Sequence, residues 1–326
     1  MSNKKRILIV VRHPVGGIRT YFRYIYSNRH FDGYSFTFVA PNISEFNKYL
    51  DTHLSNINYS FVEAESSFFG LLKQAMQAVK NEDFALIHSH GFTAGLTMAP
   101  VAKFTKIPHL MTTHDAFQKK QFEGKKGKVK RVIMSLAFQA VDRIHTVSQS
   151  AADNFMEYFP GINKAKIIPI LHGIDTDYFY KANAFDLKRN VTVKNPYLIG
   201  FFGRFMSPKG FRFLVDAVYE IVKESNTGLA TPVVLTFGWG GYIREDYEYV
   251  EKKGLKDYFL MMPHTEDIAS TIKGVDVVAM PSLWEACGLL GMEALTAGVP
   301  IVGTSCLGLR EVLEGSPAQM VEPRDA

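Results

Sequence analysis

Short apolar runs alternate with stretches of three-and-four periodicity along most of this chain. That alternation restricts it to parallel α/β layers, because a strand reaches a parallel neighbour only by crossing over through a connection such as a helix. The first run is Arg6 to Val11, followed by a loop with Pro14 and Gly16-Gly17 and a helix expected from about Ile18 to Asn28. Further strands are expected at Ser35 to Ala40, Ala85 to His90, His109 to Thr113 and Arg143 to Val147. In the second half a strand opens at Tyr197, and Phe211, Leu214, Val215, Val218, Ile221 and Val222 predict a helix from Phe211 to Glu224. Asp276-Val-Val-Ala-Met280 predicts a buried strand closed by Pro281. The run from Gly288 to Ala297 predicts a mostly buried helix, stopped by Gly298 and Pro300 before a strand at Ile301-Val302.

A chain of 326 residues that is 47% hydrophobic can fill two cores. Pro169 to Asp177, followed by the polar Lys181 to Asn195, reads as a linker, which places a domain boundary near residue 190, with domains over 1–190 and 191–326. No apolar run approaches the roughly eighteen residues that span a bilayer, and Met1-Ser-Asn-Lys-Lys-Arg6 leads into the first strand without a signal-peptide pattern. The expectation is a cytoplasmic protein. Cys287 and Cys306 are the only cysteines, which argues against a disulfide scaffold or a cysteine zinc cluster.

The chemistry concentrates at Glu285-Ala-Cys-Gly-Leu-Leu-Gly-Met-Glu293, at a strand-to-helix turn. Glu285 falls just before the expected helix and Glu293 in its second turn. A helix start presents unpaired N–H groups and about half a positive charge, a seat for a diphosphate, and glycine lets that backbone approach closely. With about 1.5 Å of rise per residue, Glu293 lies on the order of 7 Å farther along, a reach suited to a ribose diol. A second phosphate signal is Ile199-Gly-Phe-Phe-Gly203-Arg204-Phe-Met-Ser-Pro-Lys209-Gly210, a strand entering a loop that presents two cations before a helix. Arginine supplies a planar fork and lysine a point charge, a pair suited to a leaving diphosphate.

Together with Gly308-Leu-Arg-Glu311, these stretches resemble glycosyltransferase family four, retaining enzymes of the GT-B fold: two Rossmann-like doubly wound α/β domains facing a central cleft. The resemblance is specific in the C-terminal half and looser in the N-terminal half. It implies that Arg204 and Lys209 hold the donor diphosphate, Glu293 the ribose hydroxyls and Glu285 the sugar hydroxyls, with Gly203 in the phosphate loop and the amides of Gly288 and Leu289 contributing. It also implies that His114 touches the donor sugar and that Gly17 lets a phosphate approach the first helix. The chain departs from the family pattern at Cys287, where an aromatic residue is common, and at Pro263, near a usual glycine. Relatives usually continue past Val321 to Ala326 into further helices, so the second domain is expected to be truncated at its C-terminal helices.

Polar residues that follow strands are the candidates to line a site in such sheets. His88 and His90 end one strand and point to one face, which leaves a metal pair open although no carboxylate or cysteine partner is in view. Asp175-Thr-Asp177 resembles a metal-binding Asp-x-Asp element, but its position favours a turn and helix N-cap. No metal and no cofactor beyond the sugar nucleotide are expected.

The chain carries a net charge of +5, yet Lys119, Lys120, Lys125, Lys126, Lys128, Lys130 and Arg131 stand against Glu123 alone, six net positive charges in thirteen residues. Val129, Val132, Ile133, Leu136, Ala137 and Ala140 mark the following stretch as an amphipathic helix. A basic start opposes the helix dipole, so helix stability does not account for those lysines. Two readings stand: a solvated loop, or attraction to an anionic membrane surface or phosphorylated acceptor. Nucleic acid fits less well, since stacking aromatics are limited to Phe117 and Phe122.

The expected function is a retaining, metal-independent, hexosyl-type glycosyltransferase acting from a nucleoside-diphosphate sugar onto a glycan, lipid-linked or small acceptor, in the cytoplasm or at the inner face of the membrane. His114, Glu285, Arg204 and Lys209 are its catalytic candidates. A sugar-nucleotide epimerase of the same architecture and a non-catalytic nucleotide-sugar-binding module are the alternatives.

Overall fold

A computed structural model describes residues 4–224 and 230–325. Met1 to Asn3, the start of the N-terminal run, and Ala326 lie outside the described residues. The chain forms two compact units that divide after Gly173. Each is a parallel sheet covered by helices. Among the described residues no helix is long and apolar enough to cross a membrane.

The first unit runs β1 (Lys5–Val11), α1 (Gly17–Tyr21), β2 (Tyr34–Ala40), α2 (Phe46–His53), β3 (Asn58–Glu63), α3 (Phe68–Asn81) and β4 (Leu86–His90). It continues through α4 (Phe92–Thr105), β5 (His109–Thr113), α5 (Gly124–Gln139), β6 (Arg143–Thr146), α6 (Gln149–Tyr158) and β7 (Ile167–Pro169). The seven strands lie in the order β3-β2-β1-β4-β5-β6-β7. Both faces of β1 are buried: Ile7, Ile9 and Val11 pack with Phe22, Phe38 and Leu50, whereas Leu8 and Val10 pack with Leu71, Ala75 and Met98.

The expected helix at Ile18 to Asn28 is divided. After α1 the chain forms a π-helical turn over Phe22–Tyr26. Residues five apart in a π turn fall nearly in line, so Tyr21 and Tyr26 stack edge to face, with ring centroids 5.9 Å apart. An α-helix would splay them apart.

The second unit runs α7 (Thr176–Lys181), β8 (Pro196–Phe201), α8 (Phe211–Glu224), β9 (Thr231–Thr236), α9 (Ile243–Lys252) and β10 (Phe259–Met261). It ends with α10 (Ile268–Lys273), β11 (Val277–Met280), α11 (Leu289–Ala297), β12 (Ile301–Thr304), α12 (Leu309–Leu313) and β13 (Gln319–Val321). Its six strands are ordered β10-β9-β8-β11-β12-β13. The strand and helix starts expected in this half agree with these bounds to within a residue or two.

The division after Gly173 falls earlier than the boundary expected near 190. Residues 174–190 look like a linker in composition, but two apolar side chains anchor them to the second unit: Phe179 is fully buried and Leu187 lies against Gly274. Polar ties add to this, from Phe185 N–H to the Ser270 carbonyl at 3.0 Å and from the Tyr178 hydroxyl to Asp267 Oδ1 at 3.2 Å. Asp175 caps α7 by accepting from Tyr178 N–H at 3.1 Å, and Asp177 pairs with Lys181 at 2.8 Å, so the Asp-x-Asp stretch starts a helix.

Candidate functional site

In the second unit strand order reverses beside β8, with β9 on one side and β11 on the other. Ligands of open parallel sheets bind at the carboxyl ends of strands at such a reversal. The loops there are residues 202–210 and 281–288, and glycines let their backbones touch. A Cβ on Gly210, which has φ +65°, would lie 1.8 Å from the Pro281 carbonyl oxygen. Leu283 N–H donates to the Pro208 carbonyl at 2.7 Å. The neighbouring loops join in the same way: a Cβ on Gly238 would meet the Gly203 carbonyl oxygen at 2.0 Å, and one on Gly308 would meet that of Glu285 at 2.2 Å. Loops after four adjacent strands therefore form one rigid rim.

That rim brings two of the sequence candidates together. Lys209 Nζ donates to Glu285 Oε1 at 2.6 Å, with the side chains 28% and 13% exposed. Ser282, itself buried, donates Oγ–H to the same oxygen at 2.7 Å, and its own carbonyl accepts from Thr304 Oγ1 at 2.5 Å. Both contacts at Glu285 fall on Oε1. Cys306 lies close enough to feel both charges; burial pushes its thiol pKa up.

Helix α11 begins at Leu289 with Gly288 at φ +70° as its N-cap, and no side chain caps it. Glu293 is in its second turn and half-buried, as the spacing predicts. Gly203 lies on the β8 loop. Arg204 is exposed and forms no ion pair among the described residues, so the structure joins Lys209, not Arg204, to Glu285.

In the first unit strand order reverses between β1 and β4, and a different constellation stands there. Thr112, His88, Tyr26, His90 and His114 form one hydrogen-bonded chain. His88 Nε2 meets Thr112 Oγ1 at 2.7 Å, and the Tyr26 hydroxyl lies 2.7 Å from both His88 Nδ1 and His90 Nε2. His90 Nδ1 meets His114 Nε2 at 2.9 Å. The ring of Tyr21 lies 5.2 Å from each of His90, His114 and His172. Burial and the facing imidazoles hold His90 and His114 well below the ordinary histidine pKa. Burial brings His88 down to about 3 and His172 to about 4, while the Tyr21 phenol rises to about 12. All these groups are neutral at ordinary pH.

His88 and His90 do share a face, with ring centroids 4.2 Å apart, but Tyr26 and Thr112 engage their nitrogens. Among the described residues no group of three or more His, Cys, Asp or Glu is arranged to hold a metal. Gly16, with φ +56°, starts α1, and Gly17 is its exposed first residue. Sequence reasoning missed Tyr21, Tyr26, His145 and His172, because only the π turn and the sheet register bring them to His114. It also missed Ser282, although a serine three residues before Glu285 is a readable signal.

The basic run starts in the turn before α5 and continues into that helix. Lys119, Lys120, Lys125, Lys126 and Lys128 are exposed. Lys130 and Arg131 are exposed as well: Arg131 donates Nε–H to the Tyr158 carbonyl at 2.7 Å, and the Lys130 ammonium sits 5.6 Å from the centre of the Phe122 ring. Val129, Val132, Ile133 and Leu136, part of the apolar set that marked an amphipathic helix, are exposed. The inward face of α5 is Gly127, Met134 and Phe138.

Two Rossmann-like α/β domains in one chain, each with its candidate residues at the strand reversal, define a protein of the GT-B class. The chain belongs to Glycosyltransferase Family 4, which it matches over residues 15–178, while residues 196–326 match Glycosyl transferases group 1. It is 25% identical over 264 residues to the UDP-Gal:alpha-D-GlcNAc-diphosphoundecaprenol alpha-1,3-galactosyltransferase of Escherichia coli, covering 77% of this chain and 65% of that protein. It is 21% identical over 268 residues to the alpha-maltose-1-phosphate synthase of Mycolicibacterium smegmatis, covering 78% of this chain and 69% of the relative. The chain thus spans about two thirds of the length of these curated relatives. Among solved structures, Anabaena HepE in complex with UDP-glucose superposes with a TM-score of 0.81 at 18% identity, over 98% of this chain and 86% of that one. The sucrose-phosphate synthase of Thermosynechococcus elongatus gives 0.79 at 17%, over 98% and 86%.

Proposed function

We propose that this chain is a retaining, metal-independent glycosyltransferase that moves a hexose from a nucleoside-diphosphate sugar to a glycan, lipid-linked or small acceptor. The observation that carries the reading is the Lys209–Glu285 contact on the glycine-locked rim of the second unit. A cation and an acid held 2.6 Å apart beside an uncapped helix start provide, within one loop pair, a group for a diphosphate and a group for sugar hydroxyls. Glu285 Oε1 is occupied by Lys209 and Ser282, which leaves Oε2 to receive a hydroxyl. The relatives named above, one acting from UDP-galactose and one solved with UDP-glucose, support a uridine donor as the first to test.

In this reading Lys209, with the exposed Arg204 and the amides of Gly288 and Leu289, stabilises charge that grows on the departing diphosphate. Glu293 holds the ribose and Glu285 orients the sugar. The bond from the anomeric carbon to the diphosphate oxygen breaks as the bond to the acceptor oxygen forms on the same face. The acceptor proton passes to the leaving phosphate, so no protein nucleophile is required. His114 belongs to the donor sugar on the family pattern, and its neutral imidazole adds no positive charge beside a carbon that is becoming cationic. Metal independence is supported by the engagement of Asp175 as a cap and of Asp177 with Lys181. A cytoplasmic setting is consistent with two buried cysteines that are not joined in a disulfide.

Thermal shift against a panel of nucleotide sugars, followed by transfer assays with the stabilising donor, tests the proposal. The expected result is stabilisation by a nucleoside-diphosphate hexose and a product that keeps the donor's anomeric configuration without added divalent metal. An inverted product, or epimerised sugar nucleotide without an acceptor, would contradict it.

A further inference from the structure

The glycine in α5 decides which face of that helix turns inward. A Cβ on Gly127 would lie 2.4 Å from the Phe122 carbonyl carbon, so only glycine lets the helix rest on the preceding turn. Met134 and Phe138 follow on the same face and are 3% and 0% exposed. The opposite face carries Val129, Val132, Ile133 and Leu136, exposed by 59%, 60%, 57% and 63%. Their spacing of three, four and seven from Val129 makes one continuous aliphatic stripe two turns long. Isolated apolar side chains are ordinary on a surface, but an aligned stripe marks a contact surface.

The charges beside the stripe indicate what it meets. Lys125, Lys126 and Lys128 are exposed on the turn that leads into it, and Lys119 and Lys120 precede them, with Glu123 the single acid in the run. A second copy of this chain would bring the same excess positive charge against itself. A nucleic acid would find aliphatic groups where stacking rings are needed. A lamella with anionic headgroups over an apolar interior matches both halves of the surface: aliphatic side chains reach the headgroup and acyl boundary while lysines remain among the phosphates.

We propose that α5 is a docking helix for an anionic lipid bilayer, with Val129, Val132, Ile133 and Leu136 entering the surface and Lys125, Lys126 and Lys128 contacting its headgroups. Each lysine near such a surface raises partitioning roughly fivefold, and burial of the aliphatic groups adds a part that salt does not screen. The inference deepens the transferase reading by placing its acceptor at a membrane, and rests on that reading for its purpose. Binding is measured without donor or acceptor, so either idea can fail alone.

The test is sedimentation of the full chain with phosphatidylcholine vesicles containing either no anionic lipid or about a third phosphatidylglycerol. The protein should pellet with the anionic vesicles only. V132S/I133S/L136S should bind at least tenfold more weakly while keeping its melting temperature, because those side chains touch little protein. K125E/K126E/K128E should lose binding altogether, and in I133W the added tryptophan emission should shift to the blue on vesicle addition. Three outcomes would overturn the proposal: no pelleting of the wild type at low salt, full binding by the serine variant, or a concentration-dependent dimer that the serine variant abolishes without any vesicle binding.

Discussion

The two units share a sheet plan yet treat their strand-reversal loops in opposite ways. In the first, the candidate groups are neutral rings in a buried network: nine of the ten histidines precede Gly173, and five of them, His88, His90, His114, His145 and His172, lie around Tyr21. In the second, the candidates are a charged pair reachable from solvent, and rigidity comes from backbone packed on backbone at Gly210, Gly238 and Gly308. A buried network restrains its members by hydrogen bonds that cannot be surrendered cheaply. A glycine-locked rim restrains charges without burying them, and so leaves them free to meet an anion.

The strongest way to break this comparison is to remove the charge. K209A should lower turnover roughly a hundredfold or more, as the loss of a group that stabilises leaving charge does. It should cost the second unit only about 1–3 kcal/mol, since Glu285 keeps Ser282 as a donor. Turnover measured alongside denaturant unfolding separates the two effects; equal activity would mean that Lys209 serves structure alone.

Acid should separate the units next. Below about pH 6.5 the unfolded chain takes up protons at His88, His109 and His172, whereas the folded first unit refuses them down to about 3 for His88 and about 4 for the other two. The unfolded state binds more protons in this window, so stability must fall as pH falls, by about 1.4 kcal/mol per pH unit for each such group. Hydrogen exchange at pH 7 and pH 5 should show protection lost in β4 and β5 before β8 and β11. Equal loss in both sheets would erase the distinction.

A smaller effect should sharpen the account of the network. Y26F removes the one hydroxyl that joins His88 to His90 and should cost about 1–3 kcal/mol, because two buried imidazole nitrogens lose their partner. Calorimetric melting measures it. The smallest effect is S282A. Loss of one charge-assisted bond to Glu285 should cost about 1 kcal/mol in transfer, read as roughly a fivefold fall in kcat/KM.

Much of this fold can be read from sequence because a strand buried on both faces is a continuous apolar run, as at Ile7 to Val11 or Val277 to Met280. The edge strand β3 could not be read, since Asn58-Tyr-Ser-Phe-Val-Glu63 is only half covered and its polarity alternates. Phe179 and Leu187 were lost in a polar stretch, because two anchors suffice to dock a segment that composition describes as a linker. The periodicity of α5 revealed an apolar face but not its direction, which depends on the backbone room at Gly127. At the candidate site the spacing placed Glu285, Glu293 and Lys209 relative to their helices. It gave no sign that Lys209 would reach Glu285 from a loop seventy-six residues away, a pairing that depends on β8 and β11 being neighbours.

Calorimetric titration of UDP into the wild-type chain and into K209A, with no acceptor present, addresses the central claim most directly. If the rim of the second unit is a seat for a diphosphate, the wild type binds and the variant binds at least tenfold more weakly, with binding by both falling as salt is raised. If UDP and the other nucleoside diphosphates bind the two proteins equally well, the Lys209–Glu285 pair is not the diphosphate site and the account fails.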